Sequence, residues 1–201
     1  MALIRENSSA APVELRGHGL RLGPWNPEDE ADADAWLRGL TDPDFLRWNT
    51  PLVQVTDLDS ARSSLRSKVA ESAEAAAGSV SLRVADAETG EVLGHIGVNA
   101  IDRVMSVAHV GYWVLPEARG RRVAGRALAL AAPWAFTGLG LHRLELGHAL
   151  GHDASCRVAE RCGFRYEGTL RGAMWESGRQ DAYRDVHLHA RLATDEVEPP
   201  L

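Results

Sequence analysis

The strongest candidate for chemistry in this sequence is LPEARGRRVAGRAL, residues 115–128. It follows an apolar run typical of a buried strand, and a helical pattern begins at Val123. The first N–H groups of a helix have no partners within the helix, and the helix dipole adds partial positive charge there. A strand-to-helix turn of this kind favours an anion, and it suits a pyrophosphate best.

The composition of this segment leaves two interpretations open. Gly120 and Gly125 lack Cβ atoms and would let a ligand approach the backbone closely. Guanidinium groups could contact phosphate oxygens, and the segment holds Arg119, Arg121, Arg122 and Arg126. Alternatively, it is a solvated basic helix start, because arginine is the usual cation of this chain. A dinucleotide-binding fingerprint is disfavoured, because GxGxxG is absent here.

The histidines and cysteines give weaker signals. His187 and His189 share a face of a predicted strand, but without a third ligand a metal site is disfavoured. Cys156 and Cys162 form no CxxC pair and would face different sides of a helix, so we interpret both as core thiols. The sequence therefore predicts no metal and no covalent nucleophile.

The hydrophobic period predicts the elements that must position these residues. Spacings of three and four indicate helices at residues 27–40, 57–77, 123–134 and 154–162, with Pro133 expected to kink or shorten the third. Alternation and apolar runs indicate strands at residues 13–25 (broken by glycines), 80–84, 92–101, 107–115, 142–149, 164–175 and 182–192. This order predicts an α/β fold with a mixed, mostly antiparallel central sheet of about seven strands flanked by helices.

Composition sets the broad class. With 201 residues, 45% hydrophobic and 25% charged, the chain fits one domain at 13–192, between a loose N-terminus at 1–12 and a tail at 193–201. The net charge of −6 argues against a nucleic-acid partner. No apolar run reaches membrane-spanning length, and the N-terminus lacks a secretory apolar core. We therefore expect a cytoplasmic protein with no membrane partner.

Three stretches together resemble a known family: VGYWVLPEARGRRVAGRAL, the HRLEL strand and HDASCRVAERCGFRYEGTLR. They are similar to the general-control-related N-acetyltransferase (GNAT) superfamily, and most similar to its RimJ/RimL-like branch. The resemblance covers roughly residues 13–192. It implies the GNAT fold and the transfer of an acetyl group from acetyl-CoA, a co-substrate, to a primary amine.

The resemblance also implies how the turn would bind CoA. The backbone amides of residues 120–125 would hold the pyrophosphate, within the family pattern Arg/Gln-x-x-Gly-x-Gly/Ala. Arg119 and Ala124 match this pattern, whereas Arg122 replaces its middle glycine. The full predicted cofactor-binding set is Tyr112, Trp113, Val114, Arg119, Gly120, Arg121, Arg122, Val123, Ala124, Gly125, His152 and Ser155.

Other implied roles concern the strand before the turn and the helix after the next strand. Two parallel strands splay apart in this family, and the pantetheine arm occupies the gap beside residues 112–114. The N–H near Val114 could then stabilise the tetrahedral oxyanion. Ser155 matches a serine proposed to protonate the departing thiolate, although a cap or first-turn serine is an equal alternative. His152 stands where the family has asparagine.

The general base and the acceptor site are predicted less directly. His109 is the candidate base, at a position where the resemblance often places a glutamate, and a half-buried histidine satisfied by a neighbour is the alternative. Trp25, Trp48 and Trp175 are candidate walls of the acceptor pocket or simply core residues.

The function predicted is direct acetyl transfer in a ternary complex, with a protein or peptide N-terminal α-amine as the leading acceptor. A small amine, such as an antibiotic or a metabolite, is the alternative acceptor, and a longer acyl donor is also open. A non-catalytic acyl-CoA sensor is the rival from another class, because His109, Arg122 and His152 depart from the family pattern. A homodimer is left open.

Overall fold

The computed structural model of the protein describes residues 14–51, 53–74 and 77–196. In chain order the strands and helices are β1 (Leu15–Gly17), β2 (Leu20–Pro24), α1 (Glu30–Thr41), α2 (Pro43–Trp48), α3 (Leu58–Ala73), β3 (Val80–Asp86), β4 (Val92–Asp102), β5 (Val107–Val114), a 3-10 turn (Pro116–Ala118), α4 (Val123–Thr137), β6 (Arg143–Ala149), α5 (Asp153–Arg161), β7 (Arg165–Trp175) and β8 (Tyr183–Leu192). None of these helices has the length and apolarity to span a bilayer.

All the strands form one sheet, in the order β1-β2-β3-β4-β5-β6-β8-β7. Neighbouring strands are antiparallel except β5 and β6, which are parallel and are joined by α4. Parallel neighbours need such a crossover connection. Pairing between β5 and β6 ends where His109 lies opposite Glu145, although both strands continue beyond that point. The sheet therefore contains a gap between two central strands.

Apolar side chains pack on both faces of the sheet. The larger core lies under α4 and α5, and the smaller one, under α1 and α3, contains Trp25, Trp36 and Trp113. The ring centroids of Trp25 and Trp113 are 6.0 Å apart. Burial lowers the pKa of His95 to about 3, so its neutral ring accepts a hydrogen bond from the Trp25 indole N–H at 3.3 Å. Because the side chains of β5 point alternately to the two faces of the sheet, this strand contributes to both cores.

The predicted sheet class is confirmed, and the described part of the chain forms eight strands instead of about seven. The first predicted strand divides into the hairpin β1–β2, because His18 and Gly19 take positive φ angles of 51° and 69°. Helix α1 begins at Glu30 rather than at residue 27. Its start is fixed by Asp29, whose carboxylate accepts hydrogen bonds from the N–H groups of Ala31 and Asp32.

Two further helix predictions need correction. Helix α3 ends at Ala73 rather than near residue 77, because Glu74 has an extended backbone; residues 75 and 76 of the predicted helix lie outside the described residues. Helix α4 continues through Pro133 to Thr137. Buried alanines next to the proline anchor this last turn, so packing outweighs the loss of one hydrogen bond.

Helix α2 is the element that sequence analysis missed. The carboxylate of Asp42 caps it by accepting from the Phe45 N–H at 2.9 Å, and Pro43 occupies the first turn. Proline is favoured there because its missing N–H would be unpaired anyway. The Asp-Pro pair was the available signal, but a helix of six residues has too few apolar repeats to be detected by periodicity.

We predict that Gly39→Ala destabilises the protein. Alanine normally stabilises a helix interior by about 0.5–1 kcal/mol relative to glycine. Here, however, the added Cβ would lie 2.4 Å from the Trp113 ring, which Trp25 and Trp36 hold in place. Overpacking costs about 1–3 kcal/mol, so urea unfolding should show a net loss of about 1 kcal/mol. Gly125→Ala, at a helical site with open space, is the matched control and should not destabilise; equal stability of the two variants would contradict the packing argument.

Candidate active site

A cavity of about 300 Å³ lies beside the gap between β5 and β6. Helix α2, the end of β5, the turn into α4 and the start of α5 line it. The lining residues are Asp44, Phe45, Trp48, Asn49, Tyr112, Trp113, Val114, Ala118, Arg119, Gly120, Arg122, Val123, Ala124, Gly125, His152, Ala154, Ser155 and Val158. Of the predicted cofactor-binding residues, Arg121 alone does not line it.

The edge of β5 presents backbone groups to the gap. The Leu115 N–H donates to the Leu93 carbonyl at 2.9 Å, on the β4 side. Because successive strand residues point their backbone groups to opposite edges, those of Val114 and Tyr112 face the gap. A ligand arm that contains amides could pair with this edge as an added strand.

The turn that follows β5 presents a row of free donors. Gly120 and Arg122 have positive φ angles of 76° and 56°, and Arg122 is the N-cap of α4 without capping through its side chain. Within the described ranges, no N–H of residues 120–125 donates to a protein acceptor, whereas the Arg126 N–H donates to the Arg122 carbonyl at 3.1 Å. Successive free N–H groups at a helix start form an anion-binding concavity.

The arginine side chains of this turn are mostly engaged elsewhere. Arg119 pairs with Asp42, Arg121 with Asp86 at 3.5 Å, and Arg126 with the His18 carbonyl at 2.8 Å. Arg122 has no ion pair among the described residues. Its backbone is in the left-handed conformation, which glycine adopts easily. For a residue with a Cβ this conformation costs about 1–2 kcal/mol. Arg122 therefore has the backbone conformation expected of the glycine that it replaces in the family pattern.

Ser155 lines the cavity next to strand β5. Its Oγ accepts a hydrogen bond from the Tyr112 hydroxyl at 3.2 Å, and the serine side chain is buried. Burial raises the pKa of Tyr112 to about 12, so this hydroxyl remains a donor at neutral pH. The N-cap of α5 is His152, and Ser155 makes no side-chain capping bond to the helix start. The serine hydroxyl thus keeps its own proton available to a group in the cavity.

His152 forms a wall of the cavity together with Trp48. The two rings stack with centroids 4.6 Å apart and planes 4° apart. Burial, and then the neighbouring His148, lower the pKa of His152 to about 4. The ring is therefore neutral at physiological pH and presents a flat, polar-edged surface where the family pattern has an amide.

His109 does not line the cavity. Its side chain is 55% exposed, and its Nε2 lies 3.6 Å from Glu145 Oε2. Alternation along β5 puts it on the face opposite Tyr112, and three residues of strand separate the two by about 10 Å. It is nevertheless the last β5 residue paired with β6, and so lies at the closed end of the gap.

Two sequence interpretations require correction. His187 and His189 do have further potential ligands nearby, because His148 and Cys156 bring their ligating atoms within 4.8 Å of the histidine nitrogens. Cys162 is a buried thiol as expected, but Cys156 is only half-buried. The spacing of the histidines along the sequence does not predict that they lie close together, because the pairing register of β6 and β8 brings them together.

The three tryptophans lie in three different places. Trp25 is a core residue, Trp48 lines the main cavity, and Trp175 lines a second cavity of about 280 Å³ together with Thr50 and Tyr183. Sequence analysis missed the α2 contribution to the main cavity (Asp44, Phe45 and Asn49), because it missed the helix itself.

Comparisons with known proteins agree with this geometry. The family model of the acetyltransferase (GNAT) domain matches residues 20–165. The putative ribosomal N-acetyltransferase YdaF of Bacillus subtilis is 33% identical over 89 residues, which are 44% of this chain and 49% of that protein. The ribosomal-protein-serine acetyltransferase of Escherichia coli is 35% identical over 103 residues, 51% of this chain and 55% of that protein. The matches thus span about half the length of these relatives.

A solved structure extends the likeness to most of the chain. RimJ of Mycobacterium smegmatis, in complex with CoA-disulfide, superposes with a TM-score of 0.76 at 26% identity, covering 90% of this chain and 87% of that one. The RimL ribosomal L7/L12 α-N-protein acetyltransferase in complex with CoA gives the same TM-score at 19% identity, which supports the fold alone. With its splayed strands, its amide-lined turn and the family match over residues 20–165, the chain belongs to the acetyltransferase (GNAT) domain family.

Proposed function

We propose that this protein transfers the acetyl group of acetyl-CoA to the N-terminal α-amine of a protein or peptide. The observation that carries the proposal is the row of free N–H groups of residues 120–125 beside the gap between β5 and β6. Family membership, the CoA-disulfide bound to the RimJ relative and the ribosomal-protein acetyltransferases among the relatives support it.

Acetyl-CoA fits the site by the chemistry of its parts. Its pyrophosphate would accept hydrogen bonds from the N–H groups of residues 120–125, and the Arg122 guanidinium would add positive charge. The two amides of the pantetheine arm would pair with the free edge of β5 at Tyr112 and Val114. The thioester would then lie toward the closed end of the gap, with Ser155 and Tyr112 on one side.

The transfer would proceed by direct attack, because no cysteine lines the cavity as a nucleophile. The amine nitrogen attacks the thioester carbon, and the Val114 N–H donates to the oxyanion that forms. When the carbon–sulfur bond breaks, the Ser155 hydroxyl gives its proton to the thiolate, and the serine recovers a proton from solvent before the next turnover. Tyr112 positions this proton, because its donation to Ser155 Oγ leaves the serine O–H free to point at the sulfur.

The amine must also lose a proton, and His109 is the proposed base. It lies at the closed end of the gap rather than in the cavity, so the proton would reach it through water. Its partner Glu145, at 3.6 Å, would stabilise the imidazolium that results.

The acceptor assignment is tested with a peptide series. Thiol release should be observed with a peptide that has a free N-terminus and should be absent with the same peptide blocked at its α-amine. Transfer to small amines but to no peptide would support the alternative acceptor. Acetyl-CoA binding without turnover on any amine would instead favour the acyl-CoA sensor, and absence of CoA binding would contradict both.

We predict that Gly125→Asp weakens acetyl-CoA binding by about tenfold or more, because a carboxylate a few ångströms from the negatively charged pyrophosphate costs at least about 1.4 kcal/mol. Isothermal titration calorimetry measures the affinity. Gly125→Asn, which has nearly the same volume and no charge, is the control and should lose much less. Equal losses in the two variants would mean that sterics, not phosphate charge, act at this position.

We expect Ser155→Ala to lower kcat by about 100-fold, the range for loss of a general acid, with little change in the Kd of acetyl-CoA. Tyr112→Phe should lower kcat less, since it only frees the serine hydroxyl to reorient. A loss of acetyl-CoA affinity in Ser155→Ala with an unchanged kcat would assign the serine a binding role instead.

His109→Ala should lower turnover of a peptide α-amine most strongly near pH 7. At pH 9 the α-amine, with an ordinary pKa of about 7.7–8.0, is already deprotonated and needs no base. The ratio of variant to parent kcat/KM should therefore rise with pH. His142→Ala removes an exposed histidine outside the cavity and serves as the control; a pH-independent loss in His109→Ala would indicate a structural role.

A further inference from the structure

Three histidines and a cysteine meet on the sheet face that α5 covers. His148 of β6 lies directly opposite His187 of β8, and His189 is two residues further along the same strand face. Cys156 approaches from α5, with its Sγ 3.6 Å from His189 Nε2. One potential ligand atom of each residue lies within 4.8 Å of the others. We call these four residues the histidine–cysteine cluster.

Backbone carbonyls orient two of the histidine rings. His148 Nδ1 lies 3.1 Å from the Ala149 carbonyl, and His189 Nδ1 lies 3.4 Å from the Phe164 carbonyl. Each Nδ1 must therefore carry the proton it donates, which leaves the lone pair on Nε2. A metal-bound histidine is usually oriented by a carbonyl or carboxylate that accepts a hydrogen bond from the ring nitrogen facing away from the metal.

A buried nitrogen without a hydrogen-bond partner also indicates a ligand in the cluster. His148 is 5% exposed, and its Nε2 is buried without a hydrogen-bond partner among the described residues. Buried polar atoms are nearly always satisfied, so an orphaned acceptor beside a thiol and two other imidazoles requires an explanation. A cation at the centre of the cluster would satisfy all four groups.

The distances suit a tetrahedral ion. With Zn–N bonds of about 2.05 Å and a Zn–S bond of about 2.3 Å, the nitrogen–sulfur edge of a tetrahedron is about 3.6 Å. The Cys156–His189 separation has this value. Other ligand atoms lie up to 4.8 Å apart, and such a separation must shorten by about 1.2–1.4 Å to reach the edge of a tetrahedral site. Cys156 and His187 are only half-buried and can adjust by side-chain rotation.

We propose that the histidine–cysteine cluster binds one Zn²⁺ as a closed structural site that fastens α5 to β6 and β8. Imidazole nitrogens and a thiolate are the ligands that zinc prefers, and four protein ligands leave no open position for catalysis. Binding replaces the thiol proton of Cys156, which is released to solvent. The ion takes no part in acetyl transfer, but it holds the helix whose Ser155 lines the cavity.

The test uses the full chain, freed of any affinity tag and stripped of metal with a chelator, in the absence of CoA. Zn²⁺ is titrated against a chromophoric chelator, and Co²⁺ is used as a spectroscopic probe. The parent should bind one Zn²⁺ with a rise in Tm. Its Co²⁺ form should have the near-ultraviolet thiolate charge-transfer band and the intense visible bands of a tetrahedral site.

Cys156→Ser should lose the charge-transfer band, and His187→Ala should lose stoichiometric Zn²⁺ binding. Both positions are half-buried, so the variants should fold, which circular dichroism of the metal-free proteins checks. Cys162→Ala and His142→Ala are the matched controls, since neither residue belongs to the cluster, and both should behave as the parent. No Zn²⁺ binding by the parent, or a Co²⁺ charge-transfer band that persists in Cys156→Ser, would overturn the proposal.

Discussion

The separation of β5 from β6 is the constraint on which the rest of this structure depends. Both strands are central, yet their pairing stops at His109 and Glu145, so each keeps an edge in the middle of the sheet. Unpaired backbone groups inside a protein cost free energy unless something pairs with them. We therefore interpret the gap as the site where another extended chain, the pantetheine arm in our proposal, pairs with the free strand edges.

The surrounding elements follow from this gap. The crossover helix α4 must start where β5 ends, which brings the free amides of its first turn to the mouth of the gap. Helix α5 starts where β6 ends and brings Ser155 to Tyr112. Helix α2 lines another side of the cavity, and the ion pair of Asp42 and Arg119 connects this helix to the turn. Three local features thus meet beside the gap between these two strands.

Much of this could be predicted from the sequence, and the failures have physical reasons. Long periodic segments such as α4 and β5 were correct in type, since their patterns match one period only. The short helix α2 was missed because a cap and a proline, not periodicity, define it. For the cavity, the turn and strand residues were found because they are contiguous in sequence. The role of His109 stays a prediction: the pleat of β5 turns its side chain away from the cavity, but the residue lies at the closed end of the gap. The histidine–cysteine cluster depends on the register of β6 against β8 and on the packing of α5, which no local pattern contains.

The central claim, that backbone amides of the turn hold the CoA pyrophosphate, can be tested most directly by amide NMR. In a titration of the ¹⁵N-labelled protein with CoA, the account predicts that the largest ¹H–¹⁵N shifts are those of residues 120–125 and of Val114, with slowed hydrogen exchange at the same amides. Shifts confined to arginine side chains, or centred on a different part of the sheet, would contradict it.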